Sequence, residues 1–373
     1  QDCNDTRLEV PFAKNNGGRI RQELRFINPK GTTPIANSLL AAAGDFPKDE
    51  NCYDCRNIII LITDGIEACD GDPCEASYEL QRKGIALKPF VIGIGMDEDF
   101  KESFDCIGQY YNAVDEDQFE DVLGAVITQA LNSTTAQVNL LDSYGNPTET
   151  DVNLTFFDHF SGRVKHNYIH TINHRGNPDT IILDPLITYR LRVNTIPPVY
   201  VDSFKLYPGK HTIIAADAPQ GELIVKSPGS IQYRDLMFFI SKDETEKTVN
   251  VQQMNETVKY ITGTYDLEIP ILPHMVLEDI EIKQSHTTTI EIPRPGLLNL
   301  IKPSEGFGSI YVHRNGDFDW VCNIESHSEN ETITLQPGRY TAVFRPEKTK
   351  QTIYTIRKTF DIRSGGSLAI ELF

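Results

Sequence analysis

The chain has 373 residues, with 53 Asp and Glu against 35 Lys and Arg, for a net charge of −18. That balance excludes a nucleic-acid footprint and disfavours association with bare anionic lipid. The length suggests two to four cores rather than one. No apolar run approaches the ~20 residues of a membrane span.

Taken in chain order, Gly31-Thr32-Thr33-Pro34-Ile35 is a hydroxyl-bearing loop that opens a helix predicted over 34–45. Pro34 suits the first helical position, where its missing N–H costs nothing. Ile35, Leu39 and Ala43 fall on one face. The run Ile58 to Ile62 reads as a parallel strand buried on both faces, and it leads into Thr63-Asp64-Gly65. A helix over 73–83, a buried strand over 90–94, a short helix over 99–107 and a strand over 110–114 follow. Asp115 caps a last helix over 116–131, striped by Phe119, Val122, Val126 and Leu131. Strands alternating with helices predict a parallel sheet covered on both faces. Ligands bind such sheets at the carboxyl edge of the strands, where Thr33 and Asp64 converge.

Six of the seven cysteines lie in the first 106 residues. Two close pairs, Cys52 with Cys55 and Cys69 with Cys74, are disulfide candidates and place the protein in an oxidising compartment. A four-thiolate zinc site is the rival reading. Cys322 stands alone and reads as core filler. The acidic loop Glu67, Asp70, Asp72 lacks the regular spacing of a calcium loop and reads as a solvated turn. His166, His170 and His174 are spaced by four. Along a strand that separates neighbours by ~13 Å, too far to share one ion.

From 132 onward helical periodicity stops, and short alternating runs bounded by Gly, Pro, Asn and Asp take over. An internal repeat emerges when Tyr189, Tyr265 and Tyr340 are aligned. Gly221 and Gly296 each open a unit. Three modules are expected at 137–220, 221–295 and 296–373, each a two-sheet sandwich of about seven short strands. Trp320 and the other aromatics of these modules read as core, with no row of exposed rings along a sheet face.

Residues 31–35, the Thr63-Asp64-Gly65 strand end and the Val91-Ile-Gly-Ile-Gly95 strand resemble the von Willebrand factor A (VWA) domain, particularly that of bacterial secreted proteins. The resemblance implies that Thr33 and Asp64 help hold Mg²⁺ or Ca²⁺, and that an acidic side chain of a partner completes the shell. That family's site also uses an Asp-x-Ser-x-Ser loop, which is absent upstream of Thr33. The ligand set is incomplete in this chain, and residues 1–132 read as the C-terminal part of such a domain. The alternative is that Thr33 caps its helix and Asp64 orients the loop after its strand. A starting Gln1 reads as a trimmed terminus, with a lipid anchor upstream as one option. The Gly-x-Tyr strands and Asn139–Pro147 resemble carboxypeptidase-regulatory-like and transthyretin-like domains.

The expected fold is therefore α/β plus all-β, a partial Rossmann-like VWA domain followed by three tandem β-sandwich modules. No nucleophile elbow, zincin helix or phosphate loop occurs, which points away from an enzyme. The expected function is protein binding or scaffolding within a larger assembly of a bacterial cell envelope, periplasmic or at the outer-membrane surface. A carbohydrate-binding or enzyme-associated accessory protein and a metal-gated regulator are the alternatives.

Overall fold

A computed structural model describes residues 3–4, 6–28, 31–47, 57–83, 85, 90–94, 104, 106–108, 110–131, 134–242, 247–314 and 316–373. The chain divides into two compact units. One comprises 1–139, 150–193 and 199–216, and the other 140–149, 194–198 and 217–373.

The first unit begins with a helix, α1 (Gly17–Glu23), that buries no side chain and that no apolar periodicity announces. Next come α2 (Ile35–Asp45), β1 (Ile60–Thr63), α3 (Pro73–Arg82), β2 (Phe90–Ile94), β3 (Tyr110–Ala113) and α4 (Glu116–Leu131). The three strands form a parallel sheet in the order β1-β2-β3, with Ile62 beside Ile92 and Ile92 beside Tyr111. Successive strand residues point to opposite faces. Val91 accordingly joins Ile35, Leu39, Leu80, Phe104 and Ile107 on one face, while Ile92 meets Ala113, Val126 and Leu186 on the other. Asp115 accepts a hydrogen bond from Gln118 N at 2.8 Å, and Gln118 Oε1 accepts one from Val114 N at 3.2 Å, so the start of α4 is closed from both sides. Two expectations need correction. Pro34 stands before α2 rather than inside it. β1 is an edge strand that starts only at Ile60 and leaves Ile62 46% exposed, so it is not buried on both faces. The helix expected over 99–107 lies mostly outside the described residues.

The same unit holds most of the first sandwich: β4 (Thr134–Leu141), β5 (Asn153–Asp158), β6 (Val164–Ile169), β7 (Thr180–Leu183), β8 (Tyr189–Val193), β9 (Val199–Phe204) and β10 (Thr212–Asp217). They form two sheets, β10-β4-β7 and β6-β5-β8-β9. Strict alternation of buried and half-buried residues along β4 marks a strand with one face in the core.

His170 is buried here, with Nε2 2.9 Å from Val138 O and Nδ1 without a partner. A carbonyl only accepts, so Nε2 carries the proton. Protonating Nδ1 would bury an unsatisfied N–H. Burial holds the imidazole below its ordinary 6.5, against the opposing effects of the Val138 bond and the Asp151 charge. The unfolded chain therefore takes up this proton first. The stabilisation is complete above about pH 6.5 and is lost as pH falls through the lower folded value. Calorimetry on the wild type should show a melting temperature that falls from about pH 7 to about pH 5. His170→Gln should flatten that slope, and identical slopes for the two proteins would refute the assignment.

In the second unit the same order recurs twice. The second sandwich has β11 (Gln220–Lys226), β12 (Met237–Lys242), β13 (Thr248–Gln253), β14 (Val258–Ile261), β15 (Gly263–Ile269), β16 (Met275–Ile282) and β17 (Thr287–Glu291). The third has β18 (Gly296–Ile301), β19 (Gly306–Arg314), β20 (Asp317–Ile324), β21 (Asn330–Leu335), β22 (Gly338–Pro346), β23 (Ile356–Ile362) and β24 (Ser367–Glu371). Their sheets run β14-β11-β17 with β13-β12-β15-β16, and β21-β18-β24 with β20-β19-β22-β23. In each, the first strand is central and pairs parallel with the last, β11 with β17 and β18 with β24. Glycine stands at or next to the start of this strand for a steric reason. A Cβ on Gly221 would lie 2.2 Å from Lys283 O, and one on Gly296 2.6 Å from Ile362 Cγ2. Each sandwich closes over a fully buried tyrosine, Tyr189, Tyr265 or Tyr340.

Candidate functional site at the carboxyl edge of the parallel sheet

The loop before α2 turns at Gly31, whose φ of 124° is open to glycine. Thr32 Oγ1 sits 3.1 Å from Cys69 Sγ and 3.5 Å from Cys3 Sγ, so the first hydroxyl faces a disulfide. Thr33 contributes its carbonyl, which accepts from Ala68 N at 3.1 Å and thereby ties this loop to the one after β1. Its hydroxyl lies 3.4 Å from where a Cβ on Gly65 would stand, so Thr33 and the Asp64-Gly65 strand end are neighbours.

Neither candidate residue has the structural role that a bland reading would give it. The turn after β1 is made by Thr63, whose hydroxyl donates to Gly65 O at 2.7 Å and accepts from Gly65 N at 3.2 Å. The N-terminus of α2 is capped by Glu67, whose carboxylate accepts from Ala36 N at 2.7 Å and Cys69 N at 2.9 Å. A carboxylate there satisfies free N–H groups and meets the positive end of the helix dipole. Asp72 caps α3 in the same way through Cys74 N and Glu75 N. Two of the three acids in the loop are thus occupied. Asp64 is exposed, and neither its carboxylate nor the Thr33 hydroxyl makes a hydrogen bond or ion pair among the described residues. Around them Ile62, Ile66, Ile94 and Val114 remain exposed at the strand ends.

Two hard oxygen donors suit a Mg²⁺ that keeps most of its water, and fall short of the six to eight oxygens Ca²⁺ takes. Among the described residues no group of three His, Cys, Asp or Glu side chains is placed to hold a metal.

The cysteines correct the expected local pairing. Cys69 is bonded to Cys3 and Cys74 to Cys106, with Cα separations of 5.6 and 5.4 Å. Cys74 lies in the first turn of α3 and Cys69 in the loop leaning on α2, so each points to a different partner. This pairing also removes both sulfurs from a zinc site. Cys52 and Cys55 lie outside the described residues. Cys322 is a free, half-buried thiol packed against the third core. Burial, and secondarily the Glu331 carboxylate, pushes its pKa up to about 11.

A second correction concerns the aromatics. Trp320 is 60% exposed, and Phe307 and Phe318 are also exposed. Phe318 and Trp320 lie on β20, the edge strand of the third sandwich's four-stranded sheet, and Phe307 lies on β19 next to it.

No protein-family model matches the chain. Two curated proteins of Bacillus subtilis (strain 168) are similar to part of it. The uncharacterized protein YwmC is 31% identical over 127 residues, 33% of this chain and 54% of its own length. The uncharacterized protein YwmD is 30% identical over 125 residues, 32% of this chain and 54% of its own. The chain spans about half the length of the curated relatives it matches. Solved structures give only faint likenesses. The pilus adhesin SpaC of Lactobacillus rhamnosus GG, in its open conformation, shares 10% identity over 97% of this chain and 79% of its own, with a TM-score of 0.26. The minor pilin GBS52 of Streptococcus agalactiae shares 14% over 41% of this chain and 94% of its own, with a TM-score of 0.21. The major pilin BcpA of Bacillus cereus shares 9% over 64% and 99%, with a TM-score of 0.18. TM-scores at this level do not establish a common fold.

The two disulfides fit an oxidising, extracytoplasmic setting. No helix among the described residues is long and apolar enough to cross a membrane.

Proposed function

We propose that the protein is a non-enzymatic binding and scaffolding component of a cell-envelope assembly, and that the VWA-like carboxyl edge of its parallel sheet is a cation-supported docking face. The observation that carries this reading is Thr33 beside the Asp64-Gly65 strand end, two oxygen-bearing side chains without a hydrogen bond among the described residues, with isoleucine and valine exposed at the strand ends. An exposed apolar surface on a partner, with one acidic side chain at its centre, would cover these strand ends and complete the shell of a hydrated Mg²⁺. Charge supports the need for the ion, because Asp64 of a chain at −18 would otherwise repel an acidic partner.

The test is affinity purification from native envelopes, with wild type beside Asp64→Ala, each with and without EDTA. Defined partners that are present with wild type and reduced at least about tenfold by either treatment support the reading. The same partners retained through both treatments would exclude the cation face and leave binding to another surface. Fractionation of the same cells places the protein at the periplasmic, outer-membrane or other surface of the envelope.

A further inference from the structure

We infer that the outer face of the third sandwich is a binding groove for an acidic oligosaccharide. Along β19, Phe307, Ser309 and Tyr311 alternate with core residues and so point outward together. Ser309 stands opposite Asn323, and Tyr311 opposite Trp320, on β20. On the other side Phe307 stands opposite Arg345 and Ser309 opposite Val343, on β22. Phe307, Ser309, Tyr311, Asn323, Val343 and Arg345 line a groove of about 540 Å³, with Phe307 and Tyr311 on either side of Ser309 along β19, and Trp320 stands beside it, opposite Tyr311. Four residues along a strand span ~13 Å, the reach of a short saccharide rather than a single ring.

The groove's chemistry selects the ligand. One face of a pyranose presents only C–H bonds, which are drawn to the negative face of an aromatic ring; Phe307 in the groove leaves ring surface exposed for this, and so does Trp320 beside it. Ring hydroxyls both donate and accept, as do the neutral groups that line the groove, Ser309, Asn323, Ser326 and Thr355. Asn323 Oδ1 accepts from Ser309 Oγ at 3.0 Å and Trp320 Nε1 at 3.3 Å, which holds its amide N–H₂ group in place for a ligand. No carboxylate lines the groove, although the chain carries 53 acidic residues. Its one charge is Arg345, half-buried, whose guanidinium makes no ion pair or hydrogen bond among the described residues. A guanidinium placed this way matches a sugar carboxylate in two parallel hydrogen bonds. A protein partner would favour a dry, apolar centre, whereas this groove carries the Ser309–Asn323 pair.

The other two sandwiches show that this face is a departure from the repeat. Register on the tyrosine strands places Asn153, Thr155 and Phe157 of β5, and Met237, Phe239 and Ser241 of β12, at the positions of Phe307, Ser309 and Tyr311. Only the third sandwich has rings at both ends. Its β19 and β22 run nine residues each, against six and five in the first sandwich and six and seven in the second.

Trp320 is the only tryptophan in the chain, so intrinsic fluorescence of the full chain reports on this face alone. The experiment titrates short oligomers of galacturonate, mannuronate and hyaluronan, each beside its methyl ester, which keeps the sugar backbone and removes the charge. At least one uronate should shift Trp320 emission saturably, with the ester about tenfold weaker. Arg345→Gln should abolish that preference, and Phe307→Ala should weaken both forms about tenfold, with melting temperatures unchanged. Phe239→Ala, on the corresponding face of the second sandwich, should change neither. The proposal is overturned if none of the three uronates gives a saturable shift, or if binding ignores both groove substitutions. It is also overturned if Phe307→Ala releases a co-purifying protein while no saccharide binds, which assigns the face to a protein partner.

Discussion

Tyr340→Ala is expected to destabilise the third sandwich by about 3–5 kcal/mol, and Tyr340→Phe by about 1 kcal/mol. Tyr340 lies on β22, between β19 and β23, and is fully buried. Its ring stacks on Phe360 with centroids 5.9 Å apart, and its hydroxyl donates to Gln336 O at 2.7 Å. Alanine loses the ring and leaves a cavity between the sheets, whereas phenylalanine loses only the hydrogen bond and strands one carbonyl. Burial raises the phenol's pKa above its ordinary value, so the group stays a donor at any working pH. Tyr265 repeats the arrangement with Ile261 O at 2.7 Å, and its pKa is pushed up to about 12 by burial. In the first sandwich Tyr189 Oη accepts from Asp184 N at 3.1 Å. Gln336 also links the third sandwich to the second, through its N–H to Leu272 O and its side chain to Tyr233 Oη at 2.9 Å. Urea unfolding of the three proteins, with hydrogen exchange to locate the loss, checks this. An alanine variant within about 1 kcal/mol of wild type would show that the tyrosine is not the keystone of the repeat.

That keystone was legible in the sequence because its code is local: a turn glycine, a tyrosine and alternating apolar residues recur at a fixed spacing. The strand at 90–94 and the helix at 116–131 were legible for the same reason, each carrying its own periodicity and, for the helix, its own cap. Long-range choices were not. Cys69 and Cys74 are five residues apart, yet they bond to Cys3 and Cys106 because the packing of α2 and α3 sets which Cα atoms come together. Trp320 misleads for a different reason. Strict alternation puts it on the same face as Cys322, which packs against the core. The register shifts between Ile310 and Tyr311, so Cys322 opposes Ile310, Trp320 opposes Tyr311 and Val321 is the extra residue. One inserted residue turns the indole to solvent, and no period-2 reading can see it. At the candidate site, the nearness of Thr33 and Asp64 follows from the motif. Their freedom from structural roles depends on Glu67 reaching back to cap α2, a contact made across 31 residues.

Reduction of the two disulfides is expected to unfold the parallel-sheet layer while the three sandwiches persist. Cys3–Cys69 spans a sequence separation of 66 and Cys74–Cys106 one of 32, and loop-closure entropy makes each worth about 4 kcal/mol. Among the described residues the layer has three short strands, with β1 partly exposed and α1 burying nothing, so a loss of that size is comparable to the whole stability of a small domain. The sandwiches carry no disulfide among the described residues, and their cores are closed by tyrosines rather than sulfur. All α-helices of the described residues lie between 17 and 131, so circular dichroism at the helix band reports on the layer. Its signal should collapse on adding reductant, and a Cys74→Ser, Cys106→Ser double variant should reach the same state at a lower temperature than wild type. Retention of the helix signal under full reduction would show that the layer does not depend on its disulfides. The functional consequence separates the two surfaces. Thr32 packs on the Cys3–Cys69 bond, so reduction frees the loops that bring Thr33 to Asp64, and EDTA-sensitive capture of partners should disappear. Trp320 lies in the other compact unit, and its response to saccharide should survive the same treatment unchanged.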